Sequence, residues 1–168
     1  RWPASGSPKI PADGSVVAIF DRGRQAFVAA PGGGDLRADR ETFTAVAEEQ
    51  FTIHHVRPGV VAFQAANGWF VSAACATDAL TPVAATIGPR ESFEWIELPC
   101  GDVVLRSVGG GGHLVQSATQ TLAGELTKEI MVASADDANR LATNYVFLDG
   151  TKPQSAPAPR QRFNETVV

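Results

Sequence analysis

Short apolar runs, broken at regular intervals by glycine-bearing turns, organise the chain from residue 15 to residue 148. The stretch SVVAIFDRGRQAFVAA (15–30) is echoed by GVVAFQAANGWFVSAA (59–74) and again by GDVVLRSVGGGGHLVQS (101–117). In each, a valine-rich segment enters a turn and leaves through an apolar anchor: Phe27, Phe70 and Leu114, 43 and 44 residues apart. A second anchor set closes each unit, in EQFTIHHV (49–56), ESFEWIEL (91–98) and TNYVFL (143–148). Apolar and polar positions alternate there with period two, so Phe93 and Trp95 share one strand face and Glu94 takes the other. Gly23, Asn67-Gly68 and the run Gly109 to Gly112 mark the turns of three β-hairpins, Asn-Gly between apolar strands being a strong hairpin signal.

The closing anchors Phe51, Phe93 and Tyr145 are 42 and 52 residues apart, so the third unit carries an insertion. Within it ADDANRLATN (135–144) predicts a short helix, with Ser134 as N-cap and acidic residues in the first turn. A repeat near 42 residues with four strands suits a propeller blade, but a propeller needs about four or more blades, and only three units fit. Three four-strand units on a threefold axis make a β-trefoil. The predicted fold is therefore all-β, with units at about 15–57, 58–98 and 99–148. No unit can bury its own apolar face, so Val16, Ile19, Phe27, Phe51 and their counterparts are expected to share one interior. Residues 1–14 (Pro3, Pro8, Pro11) read as an extended arm, and 149–168 (Pro153, Pro157, Pro159) as a Pro-rich tail that a partner would have to order.

Composition narrows the function more than it changes the fold. A domain of this length buries about 70% of its extended-chain surface and needs no disulfide framework. Cys75 and Cys100 either pair or remain free as small structural groups, the second being preferred. The net charge is −4 and no basic stripe with interleaved aromatics is present, which argues against nucleic acid. No run approaches the roughly 20 apolar residues of a spanning helix, so direct membrane insertion is not expected. The chain starts at Arg1 with no preceding Met, as a processed secreted or organelle-targeted protein would, or a piece of a longer one.

The segments NGWFVSA (67–73) and LTPVAATIGPRESFEWIEL (80–98) resemble the fascin-like (actin-crosslinking-like) β-trefoil superfamily. Gly68, Phe70, Val71, Ser72, Leu80, Ile87, Gly88, Pro89, Glu91 and Phe93 carry the resemblance in the second unit. Phe27, Val28, Leu36 and Phe51 carry it in the first, and the third matches more loosely. The resemblance implies a trefoil that binds actin, other proteins or carbohydrate. Bundling of actin in that family uses several trefoils in series, and one set of three units stands here. The Gln-x-Trp ending of ricin-type lectin repeats is absent: Phe51-Thr52-Ile53, Phe93-Glu94-Trp95 and Tyr145-Val146-Phe147 occupy those places.

Candidate chemistry is sparse. The positions before the hairpin anchors are Ala26, Trp69 and His113. Phe70 is expected to point into the core, so alternation turns these positions outward, and Trp69 offers a flat face for a sugar ring or an apolar partner surface. His113 is the polar counterpart, and Arg160 and Arg162 in the tail are further partner-contact candidates. His54 and His55 are adjacent on a strand and face opposite sides, which does not suit one metal, and no cofactor motif appears. The glycine run at 109–112 lacks the Lys-Ser/Thr of a phosphate loop and precedes a strand. Glu48-Glu49 and Asp136-Asp137 read as a turn and a helix start, and there is no Gly-x-Ser-x-Gly elbow. Asn164-Glu165-Thr166 matches the N-glycosylation pattern. The expectation is a non-catalytic binding or scaffold subunit whose core and arms contact a partner protein, with a carbohydrate-binding module of a secreted enzyme as the alternative.

Overall fold

Twelve strands are present among the residues that the computed structural model describes, 10–73, 79–109, 114–117, 130–132 and 143–158. The first unit contributes β1 (Val16–Asp21), β2 (Ala26–Ala29), β3 (Arg37–Arg40) and β4 (Phe51–Arg57). The second contributes β5 (Val60–Ala65), β6 (Phe70–Ser72), β7 (Thr81–Ala84) and β8 (Phe93–Glu97). The third contributes β9 (Val103–Ser107), β10 (Val115–Ser117), β11 (Ile130–Val132) and β12 (Tyr145–Asp149).

The first and last strand of each unit pair antiparallel: Val17 opposite Phe51, Val61 opposite Phe93, Val103 opposite Tyr145. Between units, β4 pairs with β5, β8 with β9, and β12 returns to β1 with Phe147 opposite Ile19. These six strands close a ring, which removes the open edges of a flat sheet. The remaining strands form three hairpins, β2–β3, β6–β7 and β10–β11. A six-stranded ring with three hairpins is a β-trefoil, as the repeat predicts.

The threefold pattern extends into the core. Phe51, Phe93 and Tyr145 are fully buried, and Ile19, Phe63 and Leu105 form a second triad. The interior differs from the sequence reading by one residue in two places. Val17, not Val16, is buried in the shared core. The hairpin residues that enter it are Val28, Val71 and Val115, each one step after the expected anchor. Strand alternation allows either face to be the core face, and here the aliphatic face is buried. The partner strands bulge opposite these pairs, at Asp39 across from Phe27/Val28 and at Val83 across from Phe70/Val71. Ala26, expected to point outward, shares the strand face of Val28 and is buried in the core. The valine triad helps wall a wholly apolar central void of about 20 Å³.

Phe27 is buried instead in a smaller cluster with Phe20, Phe43, Ala18 and Val146, its ring 5.0 Å from that of Phe20 and 5.6 Å from that of Phe43. The start of the tail holds this cluster in place. Phe43 N–H donates to the Gln154 carbonyl (2.9 Å) and Gln154 N–H to the Phe43 carbonyl (2.8 Å). Further along, Arg22 Nη1 donates to the Ala158 carbonyl at 3.0 Å while its Nε pairs with Asp102 at 3.3 Å. Residues 150–158 thus lie against the domain itself, where the sequence suggested a tail awaiting a partner. At the other end, Gly14 N–H donates to Ile53 and the Asp13 carboxylate accepts from His55 N–H, laying residues 10–14 along β4.

The Gly-Pro-x-Glu-x-Phe stretch builds the entry to β8. Pro89–Glu91 form one 3-10 turn, the Glu91 carboxylate accepts from Gly88 N–H (2.8 Å), and Phe93 enters the core. Glu49 stands at the equivalent place before Phe51, buried and held by Thr44 N–H (2.8 Å) and Arg40 (3.1 Å). These glutamates brace the fold. The predicted helix at 135–144 lies outside the described residues except for Thr143 and Asn144, which are not helical.

Candidate functional site

Large apolar side chains that remain exposed among the described residues are Val46, Trp69, Val83 and Ile87. Three of these four belong to the hairpin region of the second unit. The turn that begins it is built locally. Gly68 takes φ +88, a conformation costly for a residue with a Cβ, and its N–H donates to Ala65 at 3.0 Å. The Asn67 side chain accepts from Trp69 N–H (3.0 Å) and reaches toward the Pro82 carbonyl (3.4 Å), tying the turn to β7. Trp69 is thereby held just outside β6 with 44% of its surface exposed.

The β6–β7 bulge supplies the next element. Phe70 faces Ala84 and Val71 faces Pro82, so Val83 is the unpaired extra residue and is 61% exposed. Ile87 follows at 37%. Phe70, expected in the core, is half-buried and meets the His54 ring edge-on at 5.3 Å. His54 in turn hydrogen-bonds Gln64 at 2.9 Å.

The equivalent hairpin of the first unit is chemically opposite. Arg37, Asp39 and Arg40 occupy β3, and Arg40 donates to Glu48 at 2.8 Å and to Glu49 at 3.1 Å. That bond from Arg40, aided by Gly32 N–H at 3.0 Å, holds the Glu48 carboxyl below its ordinary pKa. Its mutual charges largely satisfy one another. The apolar hairpin of the second unit therefore has no counterpart in the first.

Of the residues the sequence singled out, Trp69 alone falls within this hairpin. His113, Arg160, Arg162 and Cys75 lie outside the described residues. Cys100 is a free, exposed thiol in the turn between β8 and β9. His54 and His55 make separate contacts, with Gln64 and with the Pro11 carbonyl (2.7 Å), and no cluster able to hold a metal occurs among the described residues. Val83 and Ile87 were missed. The signal for Val83 was the run Thr81-Pro82-Val83-Ala84, where proline inside a strand marks an edge or a bulge.

The fold is a β-trefoil, and among the described residues an apolar hairpin stands in its second unit. No family model matches the chain. No curated protein matches it either. Among solved structures it is similar to ThreeFoil, a designed threefold-symmetric protein, with TM-score 0.60 and 11% identity over 79% of this chain and 99% of that one. It is also similar to the Haemophilus ducreyi cytolethal distending toxin, with TM-score 0.61 and 14% identity over 93% of this chain and 97% of that one. A mosquitocidal holotoxin matches with TM-score 0.63 and 9% identity, over 86% of this chain but 18% of its own. Identities this low carry the fold alone.

Proposed function

We propose that the chain is a non-catalytic binding domain that presents the hairpin of its second unit, centred on Trp69, to a partner protein. One observation carries this reading: among the described residues, exposed apolar side chains gather on the hairpin of the second unit, while its counterpart in the first unit is paired charge. An aromatic anchor flanked by aliphatic groups on a rigid scaffold is the composition of an interface core. The fascin-like resemblance, carried by Gly88, Pro89, Glu91 and Phe93, supports the same class, since trefoils of that kind serve as protein-binding modules. In the mosquitocidal holotoxin the matching region is under a fifth of the chain, so there the fold is one module of a larger protein. The described parts of both arms, residues 10–14 and 150–158, make hydrogen bonds to the domain itself.

Carbohydrate binding through the flat face of Trp69 is the second reading. A sugar site also needs free polar groups beside the platform, and the nearby Asn67 side chain is occupied by Trp69 N–H and the Pro82 carbonyl. The two readings are separated by placing a photo-cross-linking residue at Val83 and exposing the protein to an extract of its native source. Adducts with a protein that disappear in Trp69→Ala are the expected result. No protein adduct, together with Trp69-dependent retention on a glycan array, overturns it in favour of sugar.

A further inference from the structure

A pocket of about 440 Å³ opens on a different part of the domain, around the turn between β4 and β5. Its walls are Ile10, Pro58, Val60 and Val61, with His55 and Arg57 among the lining residues. The volume is in the range of small-molecule sites, roughly 300–1,000 Å³. The walls are held from both sides. His55 Nε2 donates to the Pro11 carbonyl at 2.7 Å, and its backbone N–H donates to Asp13 at 2.6 Å. On the far side Trp95 N–H donates to the Gly59 carbonyl at 2.9 Å, fixing the turn to β8. Gly59 takes φ +77, which lets the chain reverse within Pro58-Gly59.

Arg57 is exposed and makes no hydrogen bond or ion pair among the described residues, although the protein carries a net charge of −4. The arginines Arg22, Arg37, Arg40 and Arg106 are all paired with carboxylates. An unpaired guanidinium beside a preformed apolar pocket is complementary to a molecule with one anionic group and an apolar body. We infer that this pocket binds a small organic anion of that kind, its charge on Arg57 and its apolar part against Ile10, Pro58 and Val60. The site is separate from the Trp69 hairpin, and neither depends on the other.

The probe is anilinonaphthalene sulfonate, titrated by fluorescence against the full chain and followed by amide NMR. Saturable binding with shifts centred on Ile10, His55 and Gly59 is expected, weakened about tenfold in Arg57→Gln and unchanged in Trp69→Ala. Decanoate should displace the probe, whereas inorganic phosphate, lacking an apolar body, should not. Affinity unaffected by Arg57→Gln, shifts centred on the Trp69 hairpin, or displacement by phosphate overturns the inference. Binding that appears only after removal of residues 1–9 also overturns it, by assigning the pocket to the chain's own N-terminus.

Discussion

Gly109 lies against the backbone of Pro89 so closely that a Cβ there would stand 2.5 Å from the Pro89 carbonyl carbon, and its N–H donates to the Pro89 carbonyl at 2.9 Å. The first glycine of a run that reads as a loose hairpin is thus a packing residue. The atoms it meets belong to backbone, which cannot swing aside as a side chain would.

Gly109→Ala is therefore expected to destabilise the domain by about 3 kcal/mol, the upper part of the range for overpacking. Gly59 is the control. Its Cβ would meet nothing within 4 Å, but its φ of +77 imposes a conformational cost. Gly59→Ala should lose about 1–2 kcal/mol. Urea midpoints of the two variants test the order. Equal losses would mean that the contact with Pro89 relaxes at no cost.

Glu91 is buried and accepts hydrogen bonds from the Ser72 hydroxyl at 2.6 Å and from Gly88 N–H at 2.8 Å. Truncation strands both donors. Glu91→Ala should cost about 2–3 kcal/mol, read as a fall in Tm of roughly 4–12 °C. The double variant Glu91→Ala with Ser72→Ala should recover part of that loss, because one stranded donor is then gone. A double variant no more stable than Glu91→Ala would remove Ser72 from the account.

The threefold plan was legible because Phe51, Phe93 and Tyr145 recur with strand alternation around them, and burial of an aromatic every unit leaves a mark in sequence. The misreading of Phe70 has a physical origin. Alternation separates the faces of Phe70 and Val71 without saying which is the core face, and Val28, Val71 and Val115 keep the same spacing as the anchors Phe27, Phe70 and Leu114, so the repeat fits either choice. Trp69 is legible as outward-facing, but alternation alone does not account for its exposure: its counterpart Ala26 is buried, and Trp69 is exposed because Gly68 turns the chain before β6 begins. The mooring of the tail by Gln154 and Phe43 is a backbone pairing between residues 111 apart. It involves no side-chain pattern that a sequence could display.

Trp69 and Trp95 should respond to substitution in opposite ways. Trp95 packs on the core with its ring 4.6 Å from that of Phe147, itself stacked on Phe63 at 5.7 Å. Trp95→Ala is expected to cost about 3 kcal/mol, the low end for a large aromatic because the residue is not fully enclosed. Trp69→Ala should change stability by less than about 0.5 kcal/mol, as for an exposed position, while removing partner binding. Chemical denaturation of each variant, alongside the cross-linking assay, checks the split. A large stability loss in Trp69→Ala would recast that residue as structural.

Glu48 ties an acid-sensitive contact to the first unit. Its folded carboxyl is held below the ordinary value of 4.5, first by the hydrogen bond from Arg40 and then by Gly32 N–H. A depressed carboxylate contributes stability that is complete above the unfolded value and is lost as pH falls through the folded one. Raising the pH above neutrality should therefore leave this contribution unchanged, and lowering it below about 4.5 should erode it. Glu48→Gln, which keeps the shape and removes the charge, should be less stable than the parent near neutral pH. It should approach the parent as acid titrates the group. Urea midpoints across the acid range measure the convergence, and parallel curves for the two proteins would mean that Glu48 contributes nothing to the acid sensitivity.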